Sequence, residues 1–156
     1  MKIDMEENCG NATRFLESLI ESAGLQLRVA AQETPAECLI DLSGPDAELL
    51  QAEGGELLLA LQHLLNQAFG RTAPEGQRIV CDVEGFRATR EAELRAMANL
   101  AAERVRESRL PFVFGEMNAS ERRVIHLTLA ECEDLITESV GEGSARKLKV
   151  ALKSSK

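Results

Sequence analysis

Hydrophobic positions along the chain switch between two periods, and each switch predicts a change of element. Over residues 11–23, Phe15, Leu16, Leu19, Ile20 and Ala23 recur at the spacing of one helical face, and Gly24 supplies a stop. Leu25, Leu27 and Val29 then alternate with polar positions, as do Cys38, Ile40 and Leu42 beyond the Thr34-Pro35 turn. Those runs predict two strands, each with one buried face, joined as a hairpin. Ser43-Gly44-Pro45-Asp46 breaks the chain before a short helical stretch from Ala47 to Leu50. A longer helix is predicted from Glu56 to Phe69. It is apolar almost all round (Leu57, Leu58, Leu59, Leu61, Leu64, Leu65, Phe69) and should be central to a core; Gly70 ends it. Ile79, Cys81 and Val83 predict a third strand, closed by Gly85.

From there the pattern starts again. Ala88 to Ser108 reads as an amphipathic helix with Leu94, Met97, Ala101 and Val105 inward, stopped by Leu110-Pro111. Phe112-Val113-Phe114 is a short strand. Asn118 followed three residues later by Glu121 has the form of a helix cap, and the helix it opens runs to about Ala130, anchored by Val124, Ile125, Leu127 and Leu129. Leu135 to Val140 and Lys147 to Lys153 read as strands joined through Gly141-Glu142-Gly143. The expected class is α+β, with two small domains meeting near residues 84–87.

Composition narrows the function. With 156 residues and 44% hydrophobic positions the chain can bury a core, and no apolar run reaches the roughly 20 residues that span a bilayer. The acidic start lacks the basic flank and apolar stretch of a secretory signal, so the expected location is the cytoplasm, without membrane insertion. Cys9, Cys38, Cys81 and Cys132 form no Cys-x-x-Cys pair and are expected as reduced thiols. His63 and His126 are far from any cysteine, so neither a metal site nor a cofactor is expected. Charge is uneven. Residues 1–76 hold 4 Lys/Arg against 13 Asp/Glu, a net −9, and residues 77–156 hold 14 against 13, a net +1. Contacts to a polyanion belong in the second half.

The candidate chemistry lies there too. Arg122 and His126 are four apart and share one face of the helix that Asn118 opens. A guanidinium presents a planar fork of donors to phosphate oxygens, and an imidazole adds an N–H or a charge. The alternative is a solvated face on which Arg122 or Arg123 pairs with a nearby glutamate. Lys147 and Lys149 alternate with Leu148 and Val150 and extend the basic set, with Arg87, Arg90 and Arg146; the competing role for the lysines is protection of an edge strand. The chain has no Trp or Tyr, so base stacking falls to Phe86, Phe112 or Phe114, which equally suit the core.

Three runs carry a resemblance. They are Asp82-Val83-Glu84-Gly85-Phe86-Arg87-Ala88-Thr89-Arg90-Glu91, Met117-Asn118-Ala119-Ser120-Glu121-Arg122-Arg123-Val124-Ile125-His126, and Thr137-Glu138-Ser139-Val140-Gly141-Glu142-Gly143-Ser144-Ala145-Arg146. Together they resemble the Jag family, also called KhpB or EloR: bacterial RNA-binding proteins with a KH domain followed by an R-three-H domain named for its Arg-x-x-x-His signature. The resemblance covers roughly residues 12–152. It implies a KH-like domain in type II order over 1–84, an R-three-H domain over 85–156, and Arg122 and His126 at the signature positions. It further implies binding of single-stranded RNA or DNA, a role linked to cell elongation or division, and partners that include a small KH-domain protein or a second copy.

The sequence departs from that family in two respects. A KH domain clamps nucleic-acid backbone with a Gly-x-x-Gly loop; here the loop aligns to Ala52-Glu53-Gly54-Gly55. A Cβ at Ala52 limits close approach, and Glu53 repels phosphate, so this domain is expected to bind RNA weakly or not at all. The family also often has a separate N-terminal domain, whereas this chain begins almost at the KH helix. The leading expectation is a single-strand binder acting through phosphate contacts in the second half. The rival is a protein-interaction module using the acidic half. An enzyme ranks last, because no nucleophile with a base, metal cluster or phosphate-cradling glycine loop stands out.

Overall fold

The alternation at Cys38, Ile40 and Leu42 is that of a strand with one covered face, and in the computed structural model all three side chains are buried. The structure describes residues 5–71 and 77–154. Its class is α+β: α1 (Met5–Ser22), β1 (Arg28–Glu33), β2 (Glu37–Ser43), α2 (Ala47–Phe69), β3 (Arg78–Val83), α3 (Phe86–Ser108), β4 (Phe112–Glu116), α4 (Ala119–Leu129), β5 (Leu135–Val140) and β6 (Lys147–Leu152). The chain divides into two compact units, Met1–Arg87 and Ala88–Lys156. Phe86 and Arg87, the first residues of α3, go with the first unit.

In the first unit the sheet runs β1-β2-β3, with β1 antiparallel and β3 parallel to β2. The helices α1 and α2 bury Leu16, Ile20, Leu50, Leu58 and Leu65 against Ile40, Leu42, Ile79 and Val83. Each such aliphatic side chain removed from water contributes about 1.5–3 kcal/mol. The outer edge of β3 is closed by side chains. Asn66 accepts from Ile79 N (3.2 Å) and donates to Ile79 O (2.8 Å); Gln62 accepts from Cys81 N (3.0 Å); Arg87 Nε donates to Cys81 O (2.6 Å). Unpaired backbone groups at a sheet edge invite association or cost desolvation, and these three residues satisfy them.

The two helical segments expected on either side of residue 53 are both present within α2, separated by Ala52, Glu53, Gly54 and Gly55 in non-helical backbone. Two other expectations are corrected in this unit. The leucine-rich part of α2 is not buried all round. Leu58 and Leu65 are covered, but Leu57 and Leu64 remain 42% and 41% exposed, because the three-stranded sheet meets only one face of the helix. Cys9 and Cys38 are not free thiols: they are disulfide-bonded, with Cα atoms 5.7 Å apart, because α1 lies over β2 at a point 29 residues away in sequence. Cys81 and Cys132 are free; burial, against a smaller opposing effect of Arg87, pushes the Cys81 thiol up to about 11.

The second unit is an antiparallel sheet ordered β4-β6-β5. Leu94, Ala98, Ala101, Ala102 and Val105 of α3 and Ile125 and Leu129 of α4 share its core with Phe114, Leu135, Leu148 and Val150. Met97 and Leu127, expected inward, are 39% and 57% exposed, since each lies beside the buried stripe of its helix rather than on it. Phe114 is buried and Phe112 packs against the same core, edge-on to Phe114 at 5.0 Å; Phe86 packs against the first unit's core. All three phenylalanines are therefore occupied in packing.

Candidate functional site

The site begins with how α4 starts. Asn118 accepts from Glu121 N (2.9 Å), and Glu121 accepts from Asn118 N (3.2 Å), a reciprocal cap that fixes the first turn. Glu121, Ile125 and Leu129 then form the inward stripe. Arg122 and His126 fall one position round the helix from that stripe, and so emerge at its border with the sheet rather than at the helix crest. A carboxylate buried at this point would repel an anion. Arg90 of α3 neutralises it, with Nη2 at 2.7 Å from Glu121 Oε1, and Arg90 also pairs with Glu93 at 3.0 Å.

A groove of about 570 Å³ runs between α4 and β5, lined by Ala119, Ser120, Arg122, Arg123, His126, Thr137, Ser139 and Leu148. Arg122 donates through Nη1 to the carbonyl of Met117, which anchors the half-buried guanidinium and leaves its other donors toward the groove. His126 Nδ1 is hydrogen-bonded to the hydroxyl of Thr137, which sets the ring so that Nε2 has no partner among the described residues. Arg123 is exposed and has no hydrogen bond or ion pair among the described residues. The helix start supplies unpaired N–H groups and the positive end of a peptide dipole beside these cations. Such a concavity of fork-like donors, hydroxyls and a helix start is suited to oxyanions.

The structure brings together only part of the basic set read from sequence. Arg122, Arg123 and His126 meet in the groove. Arg146 is exposed and does not line the groove; its carbonyl accepts from Met117 N, and Met117 in turn holds Arg122. Arg87 is instead engaged at the β3 edge, also donating to Gln62 Oε1 (2.6 Å), and Arg90 is spent on Glu121 and Glu93. Lys147 and Lys149 do not join the groove. Strand alternation puts Leu148 on its side of the sheet and both lysines on the other, where Lys149 pairs with Glu138 at 3.8 Å. Ser120, Thr137 and Ser139 carried no assigned role in the sequence. The available signal was that Thr137 and Ser139 occupy the same strand phase as buried Leu135, where an ordinary strand continues with aliphatic residues. At the other candidate, the Ala52–Gly55 loop, Glu53, Gly54 and Gly55 all have positive φ (52°, 69° and 81°). A Cβ on Gly55 would stand 2.6 Å from the Phe86 ring, so that position admits only glycine.

These features match known proteins. A family model for the R-three-H domain covers residues 92–152, the span that holds the groove. Residues 92–152 thus carry an R-three-H domain, and the chain is similar over most of its length to proteins that combine such a domain with a preceding segment. It is 28% identical over 144 residues to the RNA-binding protein KhpB of Clostridium symbiosum, covering 91% of this chain and 65% of that one. The RNA-binding protein KhpB of Bacillus subtilis strain 168 is likewise 28% identical, over 91% of this chain and 69% of its own length. The chain thus spans about two thirds of the length of the curated relatives it matches. In both cases the similarity runs well beyond the R-three-H domain, into the first unit. Among the described residues no helix is long and apolar enough to cross a membrane, and no group of His, Cys, Asp and Glu is arranged to hold a metal ion.

Proposed function

We propose that the chain binds single-stranded nucleic acid, RNA foremost, by gripping phosphates in the groove between α4 and β5. One observation carries this reading: Arg122 and His126 open into the same groove, beside Arg123, which has no ion pair among the described residues, while the one buried carboxylate of α4 is neutralised by Arg90. Arg122 supplies forked donors and Arg123 a mobile charge. His126 contributes Nε2, and Ser120, Thr137 and Ser139 offer hydroxyls to phosphate or sugar oxygens. With the phenylalanines engaged in packing, affinity rests on charge and hydrogen bonds rather than base stacking, and sequence preference is low. Both similar proteins, the KhpB of Clostridium symbiosum and that of Bacillus subtilis, are RNA-binding proteins, which supports RNA as the ligand. The same reading makes the chain a binding protein rather than an enzyme, located in the cytoplasm. It assigns a part in RNA regulation linked to cell elongation or division, alongside a small KH-domain protein.

Fluorescence anisotropy with a labelled single-stranded RNA across a salt series tests it. Wild-type affinity should fall linearly with salt on logarithmic axes. Arg122→Ala and Arg123→Ala should each weaken binding about tenfold and flatten the slope by about one phosphate contact. Arg122→Lys, which keeps the charge but not the fork, should fall between. Binding that ignores salt, or variants that bind like wild type, would overturn the assignment.

A further inference from the structure

The first unit holds a groove of its own, of opposite chemistry, where α2 is interrupted. Leu49, Ala52, Glu53, Glu56, Leu57 and Ala60 line a space of about 430 Å³. Leu49 is 52% exposed and Leu57 is 42% exposed, and Leu64, two helical turns beyond Leu57, continues the stripe. Contiguous exposed aliphatic surface of this kind marks contact sites more often than solvated helix faces. The segment that carries it has charge of one sign: residues 29–70 contain seven Asp and Glu and no Lys or Arg. Glu53 and Glu56 line the groove, and Glu48 is exposed one turn before Ala52. Glu53 also sits in left-handed backbone, φ 52°, a conformation that costs a side-chain-bearing residue about 1 kcal/mol relative to glycine.

We propose that this groove docks a basic amphipathic helix of a partner protein, with aliphatic side chains between Leu49 and Leu57 and Lys or Arg on Glu53 and Glu56. Charge selects that occupant. A nucleic-acid backbone would bring phosphates against carboxylates in a groove that no Lys or Arg lines, the nearby Arg87 being engaged by Gln62 and Cys81. A second copy of the groove would oppose glutamate to glutamate. A purely apolar helix would bury two carboxylates without partners, at a cost that exceeds the gain from the leucines. A helix with leucines on one face and lysines along its borders satisfies both kinds of lining group.

The test is fluorescence anisotropy of a labelled Leu/Lys amphipathic helical peptide with the full chain. Glu53→Lys/Glu56→Lys and Leu57→Ser should each weaken binding about tenfold. Glu21→Lys/Asp41→Lys, which changes net charge equally on exposed positions elsewhere in the unit, should stay within about twofold of wild type. Arg122→Ala should leave peptide affinity unchanged, so that failure here is distinct from failure of the RNA assignment. The lining residues are exposed, and thermal unfolding of each variant confirms that the fold is intact. Absence of peptide binding by wild type, an equal loss in the Glu21/Asp41 control, or displacement of the peptide by single-stranded RNA would each overturn the proposal.

Discussion

Each unit of this protein sets a groove against a helix, and the two differ in which charges are left over. In the second unit, acidic residues are nearly as numerous as basic ones, yet the carboxylate nearest the groove is consumed twice, by the cap on Asn118 and by Arg90. Arg122 and Arg123 keep donors free. In the first unit Arg87 is consumed by the β3 edge, while Glu53 and Glu56 line the groove without ion pairs among the described residues. The electrostatic character of a surface is therefore set by the residues that internal structure does not use, and the difference in net charge between the halves understates the contrast.

The largest expected difference between the units comes from the disulfide of the first. The disulfide closes a loop of 29 residues. Cys38→Ser should lower the stability of the first unit by about 3 kcal/mol. Amide exchange should accelerate in β2 and not in β6; acceleration in both would mean that the units do not unfold separately. Gly55→Ala should cost about 2 kcal/mol, from left-handed backbone and the collision with Phe86, as read in urea unfolding, while RNA affinity stays at the wild-type value. Asn118→Ala removes the α4 cap and should cost about 1 kcal/mol in the second unit. Because the cap fixes the turn that carries Arg122, RNA affinity should fall with it, in contrast to Gly55→Ala.

The smallest effect concerns Asp134, whose carboxyl is held below its ordinary value, foremost by the hydrogen bonds from Arg106 (2.7 and 2.9 Å). A depressed folded pKa gives stability that is fully present above the ordinary carboxylate value of about 3.9 and is lost as pH falls through the lowered one. Asp134→Asn should therefore melt slightly below wild type at pH 6, with the gap closing as both are acidified. Because the pair is exposed, added salt should shrink the gap as well. A difference that persists at pH 2 would locate the effect outside the ion pair.

Several elements were legible because their determinants are local. The alternation at Cys38, Ile40 and Leu42, the Asn118/Glu121 cap and the four-residue spacing of Arg122 and His126 all act within a few residues of chain. The leucines of α2 misled because a helix apolar all round implies two partners, and this small sheet provides one. The lysines of β6 misled for a related reason: alternation shows that Lys147 and Lys149 share a face but not which face α4 covers. The disulfide was hidden by the distance in sequence between Cys9 and Cys38.

What the sequence alone determined is therefore the succession of elements, the charge asymmetry and the Arg-x-x-x-His pair, since periodicity, caps and composition are properties of neighbouring residues. Only the tertiary structure decided which cations are free. It committed Arg87 to a strand edge and Arg90 to Glu121, moved the lysines to the opposite sheet face, and brought Thr137 and Ser139 to His126. A side chain's availability depends on partners that are distant in sequence, and only packing brings those partners together.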